Sequence, residues 1–334
     1  MVSCRHHASG LLAILVALSV QLAGAACDKR DPGAASASSD QTVTSSTSKW
    51  PRDGSASKPL EVMLIPADGG TEDGTKADFL PLFNAIGKTE GLHFDVRVGQ
   101  SYGAVVEAMA NGQVDVGWFG VVSYLQAKKR AGAELLAVSV EHGSSTYLSG
   151  IFVRADAPLR SLADMKDKSI ALGDPSSTSS FAMPLAMLIE AGVDPVRDLS
   201  KIIFAGSHVN SLIACSEGHA DAGAASFNSF EKAINEKKLS ADQLRPLAKS
   251  DPLPNPPLAM HPGLDPAVKQ RLREGFATVH HAPGITPEQV RGYGGMKVDR
   301  YDVDYPEGEF LKAAQKLAKV DTIREAVLKK AGQN

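Results

Sequence analysis

Ser176-Ser177-Thr178-Ser179-Ser180 places five hydroxyl side chains in succession, between the turn residues Gly173-Asp174-Pro175 and the apolar face Phe181, Leu185 and Leu188. Ser169–Leu172 reads as a strand and the segment running to Gly192 as a helix, so the hydroxyls fall at a helix start just past a strand end. A helix's first turn leaves backbone N–H groups without intrahelical partners and carries partial positive charge. Rotatable hydroxyls add donors that meet several oxygens at once, and small side chains admit close backbone approach. A tetrahedral oxyanion suits such a cluster. A single Ser or Thr suffices to cap a helix, and five exceed that need.

The elements around this cluster alternate between strand and helix, the α/β signature. Leu60–Ile65 and Phe94–Val98 read as strands, with a helix over Phe79–Gly87 between them. One unit recurs at an offset of 106 positions: Phe94–Gly117 falls on Ser200–Gly223. Ala108, Gly112, Asp115 and Gly117 then match Ala214, Gly218, Asp221 and Gly223, and Ser101-Tyr102 matches Ser207-His208. Each copy is a strand, a helix with a glycine stop, and a second strand, a right-handed βαβ unit. Ligands of open α/β sheets lie outside the carboxyl ends of the strands. The repeat therefore predicts two lobes, with Tyr102 on one wall of a cleft and His208 on the other. Residues 58–148 with 250–334 are expected to form lobe 1, including a helix over Glu309–Ala331, and residues 149–249 lobe 2. Two chain crossings between them make a hinge.

The remaining composition narrows the function. The 334 residues are 43% hydrophobic and 22% charged, with a net charge of −3, which excludes the basic field of a nucleic-acid binder. Arg5, His6 and His7 precede an apolar run over Leu11–Leu22 and the small residues Ala23-Gly24-Ala25-Ala26, an export signal over 1–26. Ala23-Gly24-Ala25 fits cleavage to a free protein, and Cys27 fits lipid attachment. Residues 27–57 are rich in Ser, Asp, Thr and Gly and read as a disordered tether of about 30 Å, which favours an anchored Cys27. Cys215 is then the one cysteine of the mature body and reads as a small buried hydrophobe on a helix. No G-x-S-x-G elbow accompanies Asp174, Ser177 and His208, so a hydrolase is disfavoured. His280-His281 lacks companion ligands at usable spacing and reads as surface; no metal or cofactor is expected.

Gly173-Asp-Pro-Ser-Ser-Thr-Ser-Ser180 resembles the GDP-x-STS-x signature of the phosphonate/phosphite-binding proteins of ABC importers, the PhnD-like family. Ala205-Gly-Ser-His208 is similar to its second motif, Val114-Asp-Val-Gly-Trp-Phe-Gly120 to its first-lobe strand, and Lys249-Ser250 onward to its return crossing. The resemblance covers roughly Leu60–Pro262 and implies a two-lobed type II periplasmic-binding-protein fold. It places phosphoryl-binding positions on Ser177, Thr178, Ser179 and His208, with aromatic hydroxyls on Tyr102 and Tyr147. It also implies an ABC permease and ATPase as partners, a periplasmic or cell-surface location, and membrane contact through lipid at Cys27.

Relatives selecting amino-substituted phosphonates carry acidic residues where this chain has Asn228 and Pro256. A buried ammonium without a carboxylate is poorly compensated, so the ligand expected is phosphite, methylphosphonate or phosphate. Trp118 and Phe119 are candidates, with Asn228, for setting specificity. A sensory protein reporting to a membrane histidine kinase would use the same binding physics and remains open from sequence.

Overall fold

The computed structural model describes residues 50–67 and 72–332. The export signal expected over 1–26, Cys27 and the first part of the expected tether lie outside them. In chain order the first elements are β1 (Leu60–Leu64), α1 (Glu72–Glu90), β2 (Phe94–Val98), α2 (Tyr102–Ala110), β3 (Val116–Trp118), α3 (Val121–Ala131) and β4 (Glu134–Val140). Then follow β5 (Thr146–Tyr147), β6 (Ser149–Arg154), β7 (Ser169–Leu172), α4 (Met183–Glu190), β8 (Lys201–Phe204), α5 (His208–Ser216), β9 (Ala222–Ser226) and α6 (Phe227–Asn235). The chain closes with β10 (Leu244–Lys249), β11 (Leu253–Pro254), β12 (Pro257–Met260), α7 (Pro266–Thr278), β13 (Arg300–Asp302) and α8 (Gly308–Ala331).

Two sheets result, ordered β13-β4-β12-β3-β1-β2 and β10-β6-β9-β7-β8. The repeat seen in sequence is a repeat of structure. In the first sheet β1 pairs in parallel with β2 and β3; in the second β7 pairs in parallel with β8 and β9. Asp115 accepts a hydrogen bond from Glu61 N–H at 2.8 Å, and its counterpart Asp221 accepts one from Ser169 N–H at 2.8 Å. Each carboxylate so ties the loop before its own strand to the start of the neighbouring one. Ser101 and Ser207 cap α2 and α5 by accepting from the N–H three residues on, and Gly112 and Gly218 end the helices at φ +67° and +80°. Only glycine takes that left-handed conformation without steric cost.

The chain crosses between the sheets twice, and the two crossings pair: Tyr147 and Thr146 of β5 lie opposite Leu253 and Pro254 of β11. Ser149 and Ser250 add a backbone bond of 2.9 Å beside them. This is the expected hinge of two crossovers.

Two expectations need correcting. The stretch from Trp50 to Ser57, read from composition as tether, belongs to the folded body. Trp50 stacks on His261 at a ring-centroid distance of 4.0 Å, and Trp50 Nε1 and Arg52 Nε both donate to the buried Asp115 carboxylate at 2.5 Å. A single aromatic and a single arginine outweigh the polar composition because both meet one buried acceptor. The terminal helix α8 does not simply return to the first sheet. Phe310 packs on Tyr124 of α3, whereas the rest of its apolar face reaches α4 and β8 of the second half. Arg324 Nη1 donates to Pro175 O, and Lys330 Nζ donates to Val196 O at 2.6 Å.

Cys215 is buried on α5, its Sγ 3.5 Å from Phe152 O, and burial pushes the thiol up to about 11. Since the thiolate is the reactive form, iodoacetamide at pH 8 is expected to leave Cys215 of the folded protein unmodified and to alkylate it only in denaturant, as peptide mass spectrometry will read. Asp115→Ala removes the acceptor that Trp50 Nε1, Arg52 Nε and the Glu61 amide share. It is expected to lower the unfolding free energy in urea by about 3 kcal/mol.

Candidate functional site

All the parallel strands deliver their carboxyl ends to one place. Ala67 follows β1, Tyr102 follows β2 and Val122 follows β3; Asp174 to Ser179 follow β7, His208 follows β8 and Ser226 ends β9. These loops meet across the two sheets. His208 N–H donates to Ala67 O at 3.1 Å, Tyr102 N–H to Asp174 Oδ2 at 3.1 Å, and Val122 N–H to Thr178 Oγ1 at 2.9 Å.

His208 is the centre of the side-chain cluster. It is fully buried, and its Nδ1 accepts from Ser226 N–H at 2.9 Å. With Nδ1 engaged as an acceptor, the neutral imidazole carries its proton on Nε2, which faces the cleft as a donor. Around Nε2 stand Tyr293 OH at 2.9 Å, Ser177 Oγ at 3.4 Å and Tyr102 OH at 3.5 Å. Tyr293 OH accepts from Nε2–H and keeps its own proton to donate. Tyr102 and His208, equivalent positions of the repeat, thus face each other.

The hydroxyl cluster opens with a wide turn. Thr178–Ala182 is π-helical before α4 begins, and Ala182 N–H bonds to Ser177 O at 3.2 Å. Ser177 N–H donates to Asp174 O at 2.8 Å, and Ser177 Oγ accepts from Ser180 N–H at 3.2 Å, so the turn's first amides are met outside the regular helical pattern. Ser177 therefore both caps the helix and touches His208. Thr178 spends its oxygen on Val122 of the other half, and Ser179 O accepts from Ser149 Oγ at 2.7 Å. Tyr147 is buried beside Ser179 and packs on Tyr293 with ring centroids 5.5 Å apart; burial pushes its hydroxyl well up, so it stays a donor. Asp174 is buried as well, and burial raises its carboxyl against the pull of the Ser176 and Tyr102 amides.

Tyr102 and Ser177 are thus each within hydrogen-bond reach of His208, with Thr178, Ser179 and Tyr147 alongside. The three specificity candidates separate. Trp118 lines a small cavity beside Tyr293 while its Nε1 donates to Pro256 O at 3.1 Å. Phe119 lies inside the core, its ring against Gly117. Asn228 reaches across to Glu141 Oε2 at 3.4 Å and does not line that cavity. Sequence reasoning missed Tyr293. Its signal is the run Gly292-Tyr293-Gly294-Gly295, a tight turn in which two glycines sit at φ +70° and +69°. Among the described residues no group of three or more His, Cys, Asp or Glu is arranged to hold a metal, and the His280 and His281 rings lie tilted against each other with centroids 4.0 Å apart.

Two sheets facing each other over a paired hinge, with donors converging from both, define a two-lobed solute-binding protein of the type II periplasmic fold. A family model described as "ABC transporter, phosphonate, periplasmic substrate-binding protein" matches residues 70–302, and the chain belongs to that family. It is 33% identical over 230 residues to the phosphate-import protein PhnD of Mycolicibacterium smegmatis, covering 65% of this chain and 71% of that protein. It is 25% identical over 224 residues to the phosphonates-binding periplasmic protein of Escherichia coli, covering 66% of this chain and 65% of that one. Among solved structures, the binding component of a phosphonate ABC transporter from Pseudomonas aeruginosa superimposes with a TM-score of 0.68 at 21% identity, over 82% of this chain and 97% of that chain. A PhnD protein of Prochlorococcus marinus in complex with methylphosphonate gives 0.67 at 18% identity, over 80% and 99%. Membership implies export to the periplasm, a small ligand, and a permease and ATPase as partners. It defines a binding protein, not an enzyme.

Proposed function

We propose that the protein captures a small phosphorus oxyanion without an amine (phosphite, methylphosphonate or phosphate) between lobe 1, residues 58–148 with 250–334, and lobe 2, residues 149–249. The convergence of donors on the His208 edge carries the reading. His208 Nε2–H, the Tyr293 and Tyr102 hydroxyls, and the hydroxyls of Ser177, Thr178 and Ser179 come from both halves, and all are neutral. A ligand rich in acceptors satisfies them; one that leaves a buried donor unmatched is penalised. Among the described residues lining the adjoining cavity, the one cation and the one carboxylate are Lys232 and Asp78, and they pair with each other at 3.1 Å. The 33%-identical relative named for phosphate import supports a ligand of this size. The closed protein then passes its ligand to the permease.

Attachment at Cys27 is part of the same proposal. Small residues precede that cysteine, and Ser, Asp, Thr and Gly dominate the stretch that follows it. Cys27→Ser is expected to release the protein from membranes into the soluble fraction on cell fractionation. Retention of the variant on membranes contradicts lipid anchoring.

A thermal-shift screen against phosphite, phosphate, methylphosphonate, aminoethylphosphonate and sulfate is expected to single out one of the first three, because binding raises apparent stability by mass action. His208→Ala is expected to weaken that ligand about 100-fold and Tyr293→Phe about tenfold in calorimetry, the sizes of a lost charge-assisted bond and a lost hydroxyl. Tighter binding of aminoethylphosphonate, or normal binding by both variants, rejects the assignment.

A further inference from the structure

Beside Tyr293 the cleft ends in a small cavity with walls from both halves. One side is apolar: Phe79 and Trp118 meet edge to face with ring centroids 4.6 Å apart. The other side is an ion pair, Lys232 Nζ of α6 to Asp78 Oδ2 of α1, with side chains 16% and 30% exposed. The two helices pack on different sheets, so the pair spans the cleft and forms only when the halves come together. It lies directly over Gly295, where an added Cβ would stand 2.3 Å from Asp78 Oδ2 and 2.9 Å from Lys232 Nζ. Gly295 belongs to the same turn as Tyr293, whose hydroxyl is 2.9 Å from His208 Nε2. The pair is thus linked to the donor cluster by one rigid turn.

The cavity admits the centre of a water-sized sphere over about 20 Å³. A single water needs about 10–15 Å³ on that measure, so there is room for one or two heavy atoms.

We propose that Asp78 and Lys232 are specificity-determining residues that set the length of the substituent a ligand carries on phosphorus. The pair closes the cavity from outside, so a hydrogen, hydroxyl or methyl fits against Trp118. A propyl or aminoethyl chain must push the pair apart and separate the part-buried Asp78 carboxylate from its cation, or leave the halves ajar. The proposal rests on reading the cleft as a phosphorus-oxyanion site. It goes further in assigning rejection of longer phosphonates to a salt bridge remote from the phosphoryl donors.

The test is calorimetry on the purified protein with the tightest of phosphite, phosphate and methylphosphonate as the short ligand and propylphosphonate as the long one. Wild type is expected to prefer the short ligand by about 100-fold, the effect of excluding a chain from a filled pocket. In Lys232→Ala and in Asp78→Ala, each leaving a gap in the wall, the preference is expected to fall to about tenfold or less. These residues lie on separate halves and both are partly exposed, so loss of folding will not mimic the result in both. An unchanged preference in the two variants, or an equal loss of affinity for both ligands, overturns the proposal while leaving the oxyanion site intact. Binding of none of these ligands by wild type overturns the oxyanion reading, and this inference with it.

Discussion

The hydrogen bond from Ser226 N–H to His208 Nδ1 is the contact on which the cleft depends. It comes from the end of β9 and holds the imidazole in one tautomer: the neutral ring presents Nε2–H outward. Tyr293, Ser177 and Tyr102 then arrange themselves around a donor, and the cluster as a whole seeks an acceptor-rich solute. Were the ring reversed, Nε2 would compete with a ligand's oxygens as an acceptor. The His208 amide is tied as well, donating to Ala67 of the other half. Backbone groups thus fix the residue at both its ends.

A constraint of topology surrounds that contact. Both sheets are built from the same βαβ unit, and each presents the carboxyl ends of its parallel strands to the other. Loops at those ends carry exposed amides at helix starts, which are costly to bury without partners. Closing the halves supplies partners from across the cleft: Asp174 for Tyr102, Thr178 for Val122, Ala67 for His208. The paired crossings β5 and β11 hold the halves in register at the hinge, and α8 packs on both. Selectivity and closure are therefore parts of one arrangement. The groups proposed to bind solute and the groups that bind the opposite half are neighbours on the same loops.

Much of this was legible in the residue order. Ser101 and Ser207 announce their helix starts, Gly112 and Gly218 their stops, and the common offset between the two copies puts Tyr102 opposite His208. Other features were not. Phe119 sits next to Trp118 in sequence, yet only Trp118 reaches the cavity, because adjacent positions at a strand end point to opposite sides of the sheet. Trp50 and Arg52 sit in a polar stretch whose composition predicts a tether, and the buried Asp115 carboxylate, with the His261 ring and the Gly112 carbonyl, gives them a place in the body.

The sequence by itself determined the strands, the caps and stops, the hydroxyl-rich helix start and the duplicated unit, because each is settled by residues within a few positions of one another. Tertiary structure alone decided which of those groups share a site. Tyr293 meets His208 across 85 positions, and Lys232 meets Asp78 across 154. Those separations are bridged by the order of strands in two sheets and by a chain that crosses between them twice. Local preferences act over a turn or a strand, and they carry no record of which loop will face which.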